Sequence, residues 1–432
     1  MRRLAVSCSL LALVLLAACS EPEASPPPSQ PVTWHRDVAP LVQEKCGGCH
    51  VEGGIAPFAL QSYTQAFTMR EALKAAVKAR IMPPWQADSQ CAEYVDDRSL
   101  TDEQITLLTR WVDEGGMEGD ASEAPAQTPR TSQSGLPRVD LELAMPVAYS
   151  PTQSPDEYRC FVLDWPETDM RYITGFVARP GQPSIVHHIL AFLISPEQVA
   201  SYQALDSAEP GPGYTCFGGP GGSDGRPTLI GGWAPGGQGT LFPQGTGIRV
   251  RPGSKVVLQL HYNLSSANAR LDRTSIALTL ASSVEKIAIM QQWANPGWLK
   301  QGGMPIPAGQ QDVGHYFAFD LASALSFITG GEFQNNQPFT VYGAGLHMHT
   351  HGTWARMDIE RRSGAKECML HIPRWDFHWQ GGYGFVQPKV IKPGDRIALE
   401  CHWDNSLPNA KDLEWGEGTG DEMCLGTFLM TQ

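Results

Sequence analysis

The sequence predicts a mostly β protein that begins with a small all-α segment. The only persuasive helical patterns lie within residues 32–118, in runs rich in Ala, Leu, Lys and Glu. From about residue 138 the helical runs disappear, and short β-rich stretches alternate with Gly and Pro turns, which is typical of antiparallel sandwiches or barrels. Since the remaining length of roughly 300 residues is large for one sandwich, we predict two β domains, residues 138–285 and 286–432.

The start of the chain has the features of an export signal. A short basic start precedes an apolar run, residues 4–18, that is too short for a stable membrane span, so residues 1–18 are predicted to be a signal peptide. Small residues lead into Cys19 and resemble a bacterial lipobox. Lipidation of Cys19, with residues 19–31 as a Pro- and Ser-containing tether, would anchor the exported protein to a bacterial membrane, facing the periplasm or the exterior. The alternative is an ordinary signal peptide with an incidental cysteine.

Net charge and cysteine content indicate which partners are excluded and in which cellular compartment the protein works. The formal net charge is −13, and it becomes −15 when Arg2 and Arg3 leave with the signal. An acidic surface without a basic run argues against a nucleic-acid partner. Of the ten cysteines, two lie in the signal and two in the motif described below. The other six form an even set that implies disulfides in an exported chain: Cys91, Cys160, Cys216, Cys368, Cys401 and Cys424.

The individual elements follow from local patterns. A helix is predicted over residues 64–80, and Thr101 opens a second one with a capping box that continues to Trp111. Residues 119–137 have linker composition. The predicted strands are residues 184–194, 255–263, 274–281, 338–345, 353–359 and 396–402.

The sequence Cys46-Gly47-Gly48-Cys49-His50 is the attachment pattern of a c-type haem. Two thiols at this spacing can form thioethers to the haem vinyl groups, and the adjacent histidine supplies an axial iron ligand. A redox dithiol or half of a zinc site are the alternatives, but no second CxxC completes a zinc site.

The sixth iron ligand is predicted to be Met82. It lies in a Met-Pro-Pro-Trp sequence, where the prolines favour an extended loop after a helix. Met69 and Met117 are competitors that are more simply explained by packing or surface positions. The segment resembles small class I cytochrome c domains, which carry electrons and rarely do chemistry themselves, so a redox partner at the haem is expected.

Four motifs in the β region carry side chains that bind metals. They are His187-His188, Gln259-Leu260-His261-Tyr262, His347-Met348-His349 and Glu422-Met423-Cys424. His347 and His349 share one strand face, whereas adjacent residues such as His187 and His188 point to opposite faces. The histidine pair can therefore bind one metal only if the backbone is irregular there or the ring nitrogens converge.

Each motif alone is more simply explained by packing or surface exposure. Together, imidazole and thioether groups in an exported β protein favour copper, and the thioether suits Cu(I) in particular. Non-haem iron with two histidines would require a carboxylate that no motif provides at a fitting spacing.

The order of these four motifs resembles the copper type II, ascorbate-dependent monooxygenases, the family of dopamine β-hydroxylase and the peptidylglycine hydroxylating enzyme. The resemblance covers about residues 150–432. It implies two jelly-roll-like sandwiches, each contributing one copper across a solvent-filled cleft. The implied ligands of the electron-transfer copper are His187, His188 and His261. Those of the catalytic copper, where oxygen and substrate meet, are His347, His349 and Met423.

The resemblance also implies disulfides and points to departures from the family. A Tyr-x-Cys sequence ending at Cys160 implies the pair Cys160–Cys216, and the cysteine beside Met423 implies Cys401–Cys424. Cys91 and Cys368 remain, and their pairing is a guess by elimination. Leu346 replaces the basic residue that holds a peptide carboxylate, which argues against a glycine-extended peptide as substrate.

The predicted function is therefore copper-dependent hydroxylation of a C–H bond of a small substrate with O2. The cofactors would be two copper ions and one covalent haem c, with electrons from ascorbate or a similar donor, from the haem, or from both. The alternative is a non-enzymatic periplasmic copper- and haem-containing electron-transfer or copper-binding protein. His351, His371 and His378 are assigned to surface or packing roles, and the aromatic-rich residues 373–380 to the core or the cleft.

Overall fold

The computed structural model describes residues 30–52, 56–124, 135–216, 219–222, 227–234, 237, 239–264, 268–416, 418 and 420–432. The predicted signal peptide, Cys19 and all but the last two residues of the tether lie outside these ranges. Within them, no helix has the length and apolar character needed to cross a membrane.

The helices lie mainly in the first quarter of the chain. They are α1 (Ala39–Lys45), α2 (Tyr63–Thr68), α3 (Arg70–Lys78), α4 (Asp102–Asp113), α5 (Val199–Ala208) and α6 (Leu325–Ile328). A π-helical turn (Trp34–Val38) precedes α1, and 3-10 turns occur at Ala121–Glu123 and Leu321–Ala324.

Most of the remaining described chain is β structure, which confirms the predicted mostly β class. The strands are β1 (Leu141–Ala144), β2 (Asp156–Asp164), β3 (Arg171–Arg179), β4 (Val186–Ile194), β5 (Tyr214–Thr215), β6 (Thr228–Trp233), β7 (Thr240–Leu241), β8 (Thr246–Val250), β9 (Lys255–Asn263), β10 (Ser275–Ala281), β11 (Lys286–Trp293), β12 (Val313–Phe319), β13 (Phe339–His347), β14 (Gly352–Glu360), β15 (Lys366–Ile372), β16 (Gly382–Ile391), β17 (Arg396–Trp403) and β18 (Leu425–Thr431).

The helical segment has a small core of its own. Trp34 and Trp111 pack at 5.8 Å between ring centroids and are almost fully buried. The capping box predicted at Thr101 is present. The Thr101 hydroxyl accepts from the Gln104 backbone N–H, and the Gln104 side-chain oxygen accepts from the Thr101 backbone N–H. The single helix predicted over residues 64–80 is divided at Met69 into α2 and α3. The assignment of this segment to the cytochrome c class stays a prediction.

All six predicted strands are present, with ends that differ by at most two residues. The expectation that helices disappear after residue 138 was wrong at α5, a ten-residue helix. The sequence signal was weak because α5 buries only Tyr202, so it lacks a clear apolar stripe.

Two β cores fill the rest of the described molecule. The first lies between the strands of β1–β10–β3–β8 and those of β6–β4–β9–β2. The second lies between the four-stranded sheet β12–β17–β14–β15 and the antiparallel strands β16–β13–β18–β11. β11 begins just after the predicted boundary at residue 285 and contacts both halves, pairing with β18 and, more briefly, with β6 and β8. The domain bounds and the jelly-roll-like topology stay predictions.

The end of the helical segment is attached to the second β core. Val95 donates its backbone N–H to Gly384 at 2.8 Å, and the Val386 N–H donates to Glu93 at 3.0 Å. These bonds add a short extended piece to β16, and the disulfide Cys91–Cys368 closes the same junction. The helical segment and the second half of the chain are therefore covalently and sterically connected.

Three disulfides are present in the described residues. The two pairs that the family resemblance implied are formed, Cys160–Cys216 and Cys401–Cys424. The pair left by elimination, Cys91–Cys368, is the third. Three crosslinks are consistent with an oxidising compartment.

Candidate haem and copper sites

The geometry of the CxxCH motif fits covalent haem attachment. Cys46 follows the last turn of α1, and neither Cys46 nor Cys49 belongs to the three disulfides. The Nδ1 atom of His50 lies 2.9 Å from the carbonyl oxygen of Phe58, so it is the donor nitrogen. This leaves Nε2 unprotonated, the form that an axial iron ligand requires. His50 could therefore bind the iron through Nε2.

The candidates for the sixth ligand occupy different environments. Met69 packs against the helical core, and Met117 is 38% exposed beyond α4. Met82 is half-buried on the loop after α3, the loop position that its Met-Pro-Pro-Trp sequence predicted. The ligand role of Met82 stays a prediction.

The first three predicted copper ligands come together. His187 and His188 lie on β4 and His261 lies on β9, and one nitrogen from each lies within 4.8 Å of the others. The convergence depends on a register shift between Val186 and His188, where β4 pairs with β9. This bulge is the irregular backbone that the adjacent histidine pair required, because it turns both rings toward one point.

The ring nitrogens of this cluster are arranged for a metal. The Nε2–H of His261 donates to Asp156 at 2.8 Å, which leaves Nδ1 with a lone pair. That Nδ1 lies 3.3 Å from Nδ1 of His188. Two nitrogens bound to one tetrahedral metal at about 2.0 Å lie roughly 3.3 Å apart. Both nitrogens of His187 are buried and have no hydrogen-bond partner among the described residues, which a metal bond would satisfy.

The second predicted set lies where β13 meets β18. His347 pairs with Leu425, the last pair of this antiparallel ladder, and continuing the register by two residues sets Met423 opposite His349. Nδ1 of His347 contacts the side-chain oxygen of Gln380, and Nδ1 of His349 donates to the Asp421 carbonyl at 3.0 Å. Both histidines therefore keep Nε2 for a metal.

A buried carboxylate holds the second set in place. Glu422 is fully buried and accepts from the backbone N–H of His349 at 2.9 Å and of His351 at 2.6 Å. The indole N–H of Trp403 donates to the same carboxylate at 2.8 Å. Glu422 thus connects the turn after β13 to the segment that presents Met423, and the disulfide Cys401–Cys424 fixes that segment to β17.

The two sets face one cleft. Its lining residues include His187, His188, His347, His349 and Met423. Between the sets lies Phe377, whose ring stacks on His187 and approaches His349. The predicted ligands of both coppers are therefore neighbours in one space.

The three unassigned histidines have local partners. His351 lies 3.4 Å from Glu422, which raises the pKa of this histidine through their hydrogen bond. His371 contacts Asp88, and His378 is exposed beside Asp376. His351 and His371 hold loops together, so the expected structural roles fit.

Burial lowers the pKa of four candidate ligands, His187, His188, His261 and His347, and so favours their neutral form. It lowers the pKa of His187 to about 4 and that of His347 to about 3, with neighbouring histidines adding to the effect. Burial also lowers the pKa of His188 well below its usual value. Neutral imidazole is the form that binds copper, so these residues bind without releasing a proton at neutral pH.

These pKa values predict an acid-sensitive metal-free protein. Below pH 6.5 the unfolded chain protonates His187 and His347, while the folded chain does not until about pH 4 and 3. Each histidine should thus lower the free energy of unfolding by up to about 1.4 kcal/mol per pH unit as the pH falls from 6.5 to 5. Urea unfolding of the metal-free protein at several pH values measures the slope. His347→Gln should reduce it and His378→Ala should not; a flat profile would contradict the burial argument.

Sequence reasoning did not assign roles to Asp156, Gln380 and Glu422. Glu422 was visible within its motif, but nothing in the sequence showed what its carboxylate contacts. Asp156 and Gln380 are separated by 105 and 33 residues from the histidines they orient. Only the folded chain brings these pairs together.

Comparison with known proteins supports the copper monooxygenase interpretation. Residues 332–430, which include His347, His349 and Met423, match the model of the C-terminal domain of copper type II ascorbate-dependent monooxygenases. DBH-like monooxygenase protein 1 is 25% identical over 57% of this chain in Gallus gallus and over 59% in Homo sapiens. DBH-like monooxygenase protein 2 of Mus musculus is 26% identical over 61%. The matches span 39%, 40% and 44% of these relatives.

Proposed function

We propose that this protein is a copper-dependent monooxygenase that hydroxylates a C–H bond of a small, uncharged substrate with O2. The observation that carries the proposal is the convergence of two imidazole sets on one cleft. One set consists of three histidines with two unsatisfied nitrogens on His187. The other consists of two histidines with free Nε2 atoms beside a buried methionine.

The chain's own residues set up this chemistry. Copper, when bound, passes electrons singly to O2, so two sites can deliver the two electrons that hydroxylation requires. Asp156 and the Asp421 carbonyl fix the tautomers of His261 and His349, which leaves the Nδ1 of His261 and the Nε2 of His349 for a metal. Met423 supplies a thioether, a ligand suited to the reduced metal.

The nature of the substrate is inferred from the side chains near the second set. Leu346 precedes the histidine pair, and Leu425 and Thr427 follow Met423 on β18. All three line the cleft and none carries a charge. A charged substrate group would find no oppositely charged partner among these three side chains, so an uncharged substrate suits this part of the cleft better.

A product search tests the proposal directly. The copper- and haem-loaded protein is supplied with ascorbate, O2 and a library of small neutral compounds, and mass spectrometry detects a +O product. Oxygen consumption should be stoichiometric with product. Redox cycling of bound copper and haem without any oxygenated product would favour the alternative, a non-enzymatic electron-transfer protein.

The second part of the proposal is that the helical segment, residues 32–118, carries a haem and provides an electron entry route. It is called the haem segment below. His50→Ala should slow turnover at least about ten-fold with a reduced protein donor, because the axial ligand sets the haem potential. Ascorbate-driven turnover should remain within a factor of about two, since ascorbate reduces the copper sites directly. Stopped-flow reduction and product formation with each donor measure both. Equal loss with the two donors, or none with either, would contradict the relay.

We also propose that the protein is exported and lipid-anchored through Cys19. The three disulfides support the oxidising compartment that such a location provides. Cys19→Ser should move the protein from the membrane fraction to the soluble exported fraction, because one diacyl anchor supplies the membrane affinity. Fractionation with immunoblotting measures the distribution, and Cys8→Ser is the matched control. An unchanged membrane fraction for Cys19→Ser would show that the anchor lies elsewhere.

A further inference from the structure

One short segment contacts the haem segment and both candidate copper sites. It comprises residues 374–380, between β15 and β16, and is called here the bridging segment. Trp375 is buried in the second β core, which gives the segment a fixed position. Residues 377–380 line the cleft that the two histidine sets face.

At one end, the bridging segment is bound to the loop that carries Met82. The guanidinium of Arg374 donates to the Arg80 carbonyl at 3.0 Å. The amide of Gln86 donates to the Asp376 carbonyl at 3.1 Å. These contacts bracket Met82 on both sides, so the predicted sixth-ligand loop rests on the copper-binding half of the chain.

At the centre, the ring of Phe377 lies between the two histidine sets. It stacks on His187 with 5.0 Å between ring centroids and 23° between planes. It also meets His349 edge-on at 6.1 Å between centroids and 83° between planes. Stacked and edge-on contacts of this kind exclude water from between the rings.

Two residues of the segment, Gln380 and Trp375, contact the histidines of the second set. Gln380 contacts Nδ1 of His347 and donates to the Phe377 carbonyl at 2.9 Å. The indole N–H of Trp375 donates to the His349 carbonyl at 3.1 Å. These hydrogen bonds connect the backbone of Phe377 to the second histidine set.

We propose that the bridging segment is the electron path of this protein, from the haem segment through Gln86 and Asp376 to the ring of Phe377, and then to His187. This inference rests on the proposed function. The step is a one-electron transfer in which ferrous haem is oxidised to ferric haem and cupric copper is reduced to cuprous copper. No bond is made or broken and no proton moves, because only the oxidation states of the two metals change.

The physical argument is that electron tunnelling declines steeply with distance and is faster through bonded and packed atoms than across water. A route through the open cleft would cross solvent. The route along the bridging segment consists of covalent bonds, one hydrogen bond of 3.1 Å and one ring stack. Phe377 is consequently a positioning and coupling residue for both sites, not a ligand.

The test follows haem oxidation in the loaded protein without O2. The haem is reduced rapidly by a photochemical donor while copper is cupric, and the ferrous haem absorbance is followed together with the cupric EPR signal. Phe377→Leu should slow haem oxidation at least about ten-fold, as replacement of an outer partner of a metal ligand does elsewhere. Phe377→Tyr should restore most of the rate. Gln86→Ala should slow it, and Gln90→Ala, an exposed glutamine of the same stretch, should not.

The outcomes separate this inference from the proposed function. If haem oxidation in Phe377→Leu is as fast as in Gln90→Ala, the bridging path is wrong. The path is also wrong if Phe377→Tyr is as slow as Phe377→Leu. If Phe377→Leu loses copper, the path is tested by Gln86→Ala, which touches no candidate ligand. If wild-type haem is never oxidised by the bound copper, the path is also wrong. Ascorbate-driven product formation decides the monooxygenase proposal independently in every case.

Discussion

Replacing Met423 with isoleucine is expected to abolish oxygen insertion while leaving the fold almost unchanged. Met423 is buried at 6% exposure, and isoleucine has a similar volume, so the packing cost should be below about 1.5 kcal/mol. The variant lacks the thioether, which is the soft ligand that suits reduced copper. Product formation with ascorbate should fall at least about 100-fold, as is common when a metal site loses a ligand contact.

The matched control is Met430→Ile. Met430 is fully buried on β18, the strand that begins just after Met423, and it packs in the second β core. Both variants replace a buried methionine, but only one is a predicted ligand. Thermal unfolding, copper content and turnover are measured for each. Turnover of Met423→Ile equal to that of Met430→Ile would remove Met423 from the active site.

Replacing Glu422 with glutamine should both destabilise the protein and disorder the second histidine set. The carboxylate accepts from three backbone N–H groups and from the Trp403 indole, and it has no exposed surface. An amide keeps one acceptor and turns an NH2 group toward donors, which should cost about 2–4 kcal/mol. Since Glu422 fixes the backbone of His349 and of the segment before Met423, copper affinity at this set should fall about 10–100-fold.

The control for this variant is Asp395→Asn. Asp395 is a buried carboxylate between β16 and β17 that accepts from the Arg361 guanidinium and from the backbone of Arg362 and Lys392, none of which is a candidate ligand. Both variants should lower the free energy of unfolding, but only Glu422→Gln should release copper from the second set. Competition with a copper chelator gives the affinity. If both variants lost copper equally, the effect would be one of general stability.

The sequence alone predicted the mostly β class, six of the eighteen described strands and the identities of the candidate ligands. Capping chemistry placed the start of α4, and alternation between apolar and turn residues placed β9 and β17, because these signals are local. Helix α5 was not predicted, because it is only weakly amphipathic. Its stability comes from packing around Tyr202 and not from an apolar stripe in its sequence.

Some candidate ligands could be placed from local sequence patterns, and others required the tertiary structure. The spacing of His347 and His349 was sufficient to place both on one strand face, because side chains alternate along any strand. The neighbouring pair on β4 required a bulge, which depends on how β4 registers with β9 and is invisible in either strand alone. The choice of nitrogen on each ring depended on partners as distant in sequence as Asp156 is from His261.

Only the tertiary structure revealed what connects the sites. Residues 373–380 were visible as an aromatic-rich stretch, but their composition does not distinguish a core from a cleft. Folding buries Trp375 and leaves Phe377 between two histidine sets that come from separate strands. The sequence by itself thus determined which side chains are available for metal and haem. The long-range packing decided which of them meet, because a contact between distant residues is a property of the folded chain and not of any local pattern.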